Sequence, residues 1–281
     1  VIVSGSKTYD GTTSVAGSTL TATGVAGQQF TVTGAGDASN LSSKNVQSGA
    51  ALASATGLSL GSSSNGGLAS NYNAIGVAGS SYTVTAKGIT LTGISALDKI
   101  YDAATTATLN TNNVAYSGLI NGDDVSLGGS GTGSFVTKNV GVNKAVTVSG
   151  YTLSGLDAGN YVVTQPTGLT ASISKASLVV SGIAAANKTY DATTGATLSG
   201  TAAVTALGSD IVSVAGTGAG SFADANAGSN KAVSVTGYTL TGVDAGNYDV
   251  VQPNAVSATI HKADVIVSGS KTYDGTTSVA G

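Results

Sequence analysis

The feature that most constrains this chain is a seven-residue stretch that keeps returning. Lys7-Thr8-Tyr9-Asp10-Gly11-Thr12-Thr13 comes back around Tyr101-Asp102, Tyr190-Asp191 and Tyr273-Asp274, each time with Lys two residues before Tyr and a Thr pair after Asp. Tyr9, Tyr101, Tyr190 and Tyr273 stand 92, 89 and 83 residues apart. A period of that size is too long for a solenoid rung and suits a small domain repeated in tandem. A second repeat lies over the first: Val265–Gly281 copies Val1–Gly17 letter for letter. Three domains therefore form a larger unit, and the chain is read as a window on a longer array. The expected domains are 1–87, 88–175 and 176–262, with 263–281 opening the next unit.

Composition sets the fold class. The chain has no Glu, Arg, Cys, Met or Trp, and all its acids are Asp and all its bases Lys. Helices lack most of their favoured residues in such a chain, while the abundant Val, Thr, Ile and Tyr suit strands. The expectation is all-β: a tandem array of small, immunoglobulin-like β-sandwich domains forming an elongated rod, with a β-grasp-like repeat or a β-solenoid as alternatives. Absent cysteine excludes disulfides and thiolate metal sites. A net charge of −3 argues against a nucleic-acid partner, and no apolar run is long enough for a membrane-spanning helix.

In the first domain the strand candidates are Val1–Val3, Thr19–Thr23, Gln29–Thr33, Ala51–Leu60 and Ser81–Ala86. The other two domains align closely with each other, and both carry Asn-Lys-Ala-Val before Gly150-Tyr151 and Gly237-Tyr238. Val146 and Val148 share one parity, Tyr151 and Leu153 the other. A glycine at such a switch marks a bulge or sharp bend. Ala53 and Ala55, then Gly57, then Leu58 and Leu60 repeat the device in smaller residues. At the junctions, Leu169, Ala171 and Ile173 hand over to Leu178 and Val180 across Lys175. Val256, Ala258 and Ile260 hand over likewise to Val265 and Val267. The last strand of one domain is thus expected to run almost directly into the first of the next.

Candidate functional residues are weighed against structural roles. In Lys-x-Tyr-Asp the carboxylate of Asp10, Asp102 or Asp191 could act as a base. The preferred reading is that it caps a turn, with Tyr9, Tyr101 and Tyr190 at the rim of the core. Because Gly11 is replaced by Ala103 and Ala192, the turn is expected not to need positive φ. Asp157-Ala158-Gly159-Asn160-Tyr161 and its copy Asp244–Tyr248 are read as Asx turns leading into a strand. Tyr161 and Tyr248 then play the part of a corner tyrosine whose hydroxyl bonds backbone. Asp123 and Asp124, with Asp210 at the related place, are weak calcium candidates that lack the spacing of a calcium loop. Lysines near Asn and Asp would permit an intramolecular isopeptide bond. His261 is the sole histidine, and Ser174 takes its place one domain earlier, so a solvated linker histidine is the preferred reading. No enzyme activity and no cofactor are expected.

These motifs in this order — Lys-x-Tyr-Asp-Gly/Ala-Thr-Thr, Gly-Ser-Phe, Asn-Lys-Ala-Val-x-Val-x-Gly-Tyr-x-Leu, Asp-Ala-Gly-Asn-Tyr — resemble the YDG-type repeats of giant filamentous-haemagglutinin-like bacterial exoproteins, relatives of the MBG modules. The resemblance implies an exported protein, secreted through a two-partner (type V) route, that serves as an extracellular stalk, adhesin or matrix fibre. Its implied partners are other copies of the same repeat, with surface glycans or proteins as further candidates. It supplies no catalytic residues.

Overall fold

The computed structural model describes residues 1–278, so the last three residues of the expected fourth repeat lie outside the described part. The chain is all-β, with single 3-10 turns and no α-helix among the described residues. Its contacts divide it into two compact units. One holds Val1–Lys99, Thr105–Thr137 and Asn143–Ser172; the other holds Ile100–Ala104, Lys138–Val142 and everything from Ile173.

In the first unit, a six-stranded sheet runs in the order Gln47–Ala50, Ser81–Thr85, Ile2–Thr8, Leu20–Thr23, Gln29–Thr33, Ser59–Ser63. Ile2–Thr8 lies parallel to Ser81–Thr85 and antiparallel to Leu20–Thr23. Alternation explains the burial: Leu20 and Ala22, Phe30 and Val32, Tyr82 and Val84 turn inward while the Thr and Ser between them face out. The second repeat begins with Lys87–Thr92, parallel to Tyr161–Thr164 and antiparallel to Ala115–Ser117. Thr132–Phe135 pairs antiparallel with the end of Gly141–Ser149, placing Phe135 opposite Val146.

The second unit repeats the plan. Ala176–Val179 is parallel to Tyr248–Val251. A five-stranded sheet is built on Ser213–Phe222, Gly228–Thr241 and Ser257–His261. Phe222, Val233, Val235, Val256, Ala258 and Ile260 form its core.

One expected connection, at Lys175, is as short as anticipated, and a link that the sequence reading had not singled out, at Ala86, matches it. Only Ala86 separates Ser81–Thr85 from Lys87–Thr92, and only Lys175 separates Leu169–Ser174 from Ala176–Val179. The parity glycines also behave as expected. Gly150 and Gly237 both have φ of +95°, and a Cβ at Gly237 would lie 2.3 Å from the Thr217 carbonyl oxygen. The register of Ser213–Phe222 against Gly228–Thr241 slips between Gly216 and Ala219, opposite that bend.

Three expectations are corrected. Ala51–Leu60 is not one strand: residues 51–58 are irregular, and Leu52 is buried there while Ala53 is exposed. Alanine carries too little apolar surface to fix which parity faces inward. Val265 and Val267 do not continue the inward alternation; Val267 is 88% exposed, whereas Val3, at the same place in an identical sequence, is 0% exposed. A lone strand has no face to pack against, so this segment pairs and is buried only where a sheet receives it.

The third correction concerns the Asp-Gly/Ala turn. Ala103 and Ala192 have φ of +62° and +63°, close to +76° at Gly11. The turn does need the left-handed region, and alanine tolerates it at a cost. Ala192 is exposed, so its methyl group packs little. Ala192→Gly is therefore expected to stabilise the chain by about 0.5–1 kcal/mol, the relief of strain exceeding the added freedom of the unfolded chain. A rise in the urea midpoint would register it; a fall would mean that the alanine sits there unstrained.

Candidate functional site: a repeated tyrosine–aspartate clasp

The Lys-x-Tyr-Asp stretch first builds a local knot. Asp10 Oδ1 accepts the Thr12 N–H and hydroxyl, both at 2.9 Å, closing an Asx turn. Lys7 Nζ donates to the same oxygen at 2.8 Å and to the Thr12 and Ser14 carbonyls. Lys188 and Asp191 repeat the knot, and so do Lys271 and Asp274 in a segment that forms no strand. Asp102 makes the same turn with the Ala104 N–H. The knot is thus a property of the short sequence. Hydrogen bonds from Lys188, then from the Thr193 backbone and hydroxyl, hold the Asp191 carboxyl down to about 2.

What the knot positions is the tyrosine before the aspartate. Tyr9 is 1% exposed, and its hydroxyl donates to Asp123 Oδ2, 114 residues on, at 2.7 Å. Tyr161 donates to the same oxygen at 2.7 Å and accepts the Ile120 N–H at 3.0 Å. The two rings meet edge to face with centroids 5.3 Å apart. Lys44 closes the other side: its Nζ lies 2.9 Å from Asp123 Oδ1 and 3.5 Å from Asp157 Oδ1. Beside it, the Val46 N–H donates to Asn160 Oδ1 at 2.9 Å, and Asn160 Nδ2 donates to Asn45 Oδ1 at 3.1 Å. Tyr9, Lys44, Asn45 and Val46 belong to the first repeat; Asp123, Asp157, Asn160 and Tyr161 belong to the second.

The arrangement occurs again in the other unit. Tyr101 and Tyr248 donate to Asp210 Oδ2 at 2.6 and 2.7 Å, with ring centroids 5.3 Å apart. Tyr248 accepts the Leu207 N–H. Lys138 pairs with Asp210 and lies 3.6 Å from Asp244. The Val140 N–H donates to Asn247 Oδ1 at 2.9 Å, and Asn247 Nδ2 donates to Asn139 Oδ1 at 3.2 Å. This is why the unit containing the third repeat also takes in Ile100–Ala104 and Lys138–Val142. Each clasp joins one repeat to the next.

The electrostatics match the geometry. Burial pushes the Asp123 carboxyl up, but hydrogen bonds from Tyr161, Lys44 and Tyr9 outweigh it and hold it below the ordinary carboxylate range. Asp210 is held down in the same way against its burial, by Lys138, Tyr101 and Tyr248. Burial, then the hydrogen bond to aspartate, pushes the Tyr161 and Tyr248 hydroxyls up to about 12. Lys44 and Lys138 are raised, chiefly by their aspartate hydrogen bonds. Aspartates held ionised and lysines held protonated at these distances act as crosslinking ions between the repeats.

A two-sided pH dependence follows. An aspartate whose folded pKa is depressed contributes stability that is present above the unfolded value and lost as pH falls through the folded one. A tyrosine whose folded pKa is raised contributes stability that is present below the unfolded value and lost as pH rises through the folded one. The unfolded values are near 3.8 and 10.0. The urea midpoint should therefore be flat through neutral pH, fall below about pH 4, and fall again between about pH 10 and 12. A midpoint unchanged across the alkaline range would remove the tyrosine–aspartate bonds from the account.

The predicted site residues sort unevenly. Tyr9, Tyr101, Tyr161 and Tyr248 converge on the clasps, with the last two in the backbone-bonding corner role expected of them. Asp123 and Asp210, weighed as calcium ligands, are instead the acceptors at each centre. Asp124 stands aside, its carboxylate receiving the Leu156 N–H. Asp157 and Asp244 make no side-chain cap on the turn they precede; they accept the N–H groups of Asp124 and Ile211. Tyr190 is 44% exposed and joins no clasp. Lys44-Asn45-Val46 and Lys138-Asn139-Val140 were not anticipated. Their recurrence as the same three letters was the available signal.

Residues 85–168 and 174–258 each match the family model of the YDG domain, together more than half of the chain. No curated protein and no solved structure matches it.

Proposed function

The chain belongs to the YDG domain family, and from that premise we propose that it is the structural repeat region of a long secreted bacterial adhesin or extracellular fibre. In this reading the repeats are small sandwiches of immunoglobulin-like kind, and the array acts as a stiff stalk in surface or biofilm attachment. The observation that carries the reading is the clasp, built twice from equivalent residues of successive repeats. Ionic and hydrogen-bonded locking between repeats, added to single-residue links, restricts hinge motion and transmits load along the chain. The partners are other copies of the repeat, and the location is the cell exterior.

Solution scattering of the full chain tests this reading. A maximum dimension several times the cross-section supports the stalk; a compact, near-spherical particle contradicts it. A second reading, in which each repeat binds a surface glycan or protein, is favoured by specific retention of the same chain on a glycan array.

A further inference from the structure

Among the described residues, the third repeat's forward face forms no clasp. Tyr190 is 44% exposed, against 1% and 2% for Tyr9 and Tyr101. It lines a groove of about 430 Å³ with Asn226, Ala227 and the segment Lys262–Val265. Counting from Phe135 and Phe222, Asn226 and Ala227 stand where Asn139 and Val140 stand one repeat earlier, and the clasp lysine Lys138 is replaced by Ala225.

Among the described residues, the first repeat's receiving face likewise forms no clasp. Tyr72 accepts the Val25 N–H at 3.0 Å and donates to Gln28 Oε1 at 2.6 Å, as Tyr161 does with Ile120 and Asp123. Gln28 therefore takes the place of the central aspartate. Leu68 precedes the 3-10 turn Ala69–Asn71, as Asp157 precedes Ala158–Asn160, and so takes the place of the second aspartate. Asn71 is exposed, whereas its equivalents Asn160 and Asn247 are 5% and 6% exposed.

The two substitutions are complementary. Where the forward face has lysine, the receiving face has two aspartates. Where the forward face has Ala225, the open receiving face has Gln28 and Leu68. A lysine against the neutral face, or two aspartates against the alanine face, would bury charge without a counter-ion. We propose that the third repeat's forward face, Tyr190 with Ala225, Asn226 and Ala227, docks a module with the sequence of residues 1–87 through Gln28, Leu68, Asn71 and Tyr72. This third junction lacks the lysine–aspartate cluster of the other two, with Lys262 and Asp264 of opposite charge lining its groove, and it completes the series. The mate joins in line through the strand whose sequence Val265–Gly281 already repeats. Charge thereby sets this junction apart from the other two, because faces with and without the lysine–aspartate cluster do not interchange. The proposal does not depend on the adhesin reading.

The test is a chain extended past Gly281 by a second copy of residues 18–87. Tyrosine nitration, quantified by peptide mass spectrometry, reads exposure at each site. Tyr190 should lose about tenfold or more of its reactivity on extension, approaching Tyr9 and Tyr101. Gln28→Asp with Leu68→Asp in the appended copy should restore its reactivity, and adding Ala225→Lys should protect it again. The counterpart of Tyr82, 0% exposed in the first repeat, reports that the appended copy is folded. A protected Tyr82 counterpart beside a fully reactive Tyr190 overturns the proposal. So does protection of Tyr190 that ignores the charge substitutions. Protection in the unextended chain that rises with concentration would assign the face to a second chain, overturning the in-line junction.

Discussion

Asp210→Ala is expected to remove about 3–5 kcal/mol from the unit that contains the third repeat. The Asp210 side chain is 0% exposed and receives three donors from two repeats: Lys138 and Tyr101 from one, Tyr248 from the other. Truncation leaves two tyrosine hydroxyls without their acceptor, each costing about 1–3 kcal/mol when it stays buried. It also leaves a lysine facing only Asp244, 3.6 Å away. Asp210→Asn keeps an oxygen for the tyrosines but loses the charge, so a loss of about 1–2 kcal/mol is expected. Asp249→Ala is the control, since that side chain is 69% exposed against Lys175 and should cost less than about 0.5 kcal/mol. Urea unfolding of the full chain reads all three. Unfolding of a repeat array need not be two-state, so separation of one transition into two is part of the expected outcome for Asp210→Ala. A loss no larger than that of Asp249→Ala would mean that Asp210 is not the centre of a junction.

Tyr9→Ala should cost about 3–5 kcal/mol, in the range for removing a buried aromatic side chain. Its ring fills the space against Tyr161, and its hydroxyl supplies one of the three donors to Asp123. Tyr9→Phe keeps the edge-to-face contact and loses only the hydroxyl bond, for about 1–1.5 kcal/mol. The same substitution in the third copy of the motif gives the decisive contrast. Tyr190→Ala, at a side chain 44% exposed, should cost less than about 1 kcal/mol. Sequence context is nearly identical at Tyr9 and Tyr190, and both follow the same lysine knot. Equal losses at the two positions would show that the tyrosine works within its own repeat, against the interlock described here.

The strands were legible where side chains of unlike kind alternate, as at Gln29–Thr33, because a two-residue period leaves only one face to bury. The bends at Gly150 and Gly237 were legible for a related reason: parity changed, and a residue without Cβ stood at the change. The alternation failed over Ala51–Leu60, where small residues on both faces gave no preference. Identical sequence at Ile2–Thr8 and 266–272 gave a strand in one place only, since pairing partners and not local propensity decide extension.

The clasp was half visible. Its tyrosines and aspartates were singled out, but as turn, rim and metal residues of single domains. Tyr9 and Tyr101 lie 114 and 109 residues from Asp123 and Asp210 in sequence, a separation at which spacing says nothing about contact. The lysines and asparagines that close each junction sit in irregular text with no apolar period. Comparing repeats for what changes together would have found them: lysine is present where the next repeat has its two aspartates, and absent in the third repeat.

Tyr101 of one repeat and Asp210 of the next hold the two together directly. A double-mutant cycle on the full chain, with Tyr101→Phe, Asp210→Ala and the pair, tests it. A coupling of about 1–2 kcal/mol between the two positions is predicted, as for a charge-assisted hydrogen bond in a shared network. Additive losses, with coupling near zero, would contradict a direct Tyr101–Asp210 bond between the repeats.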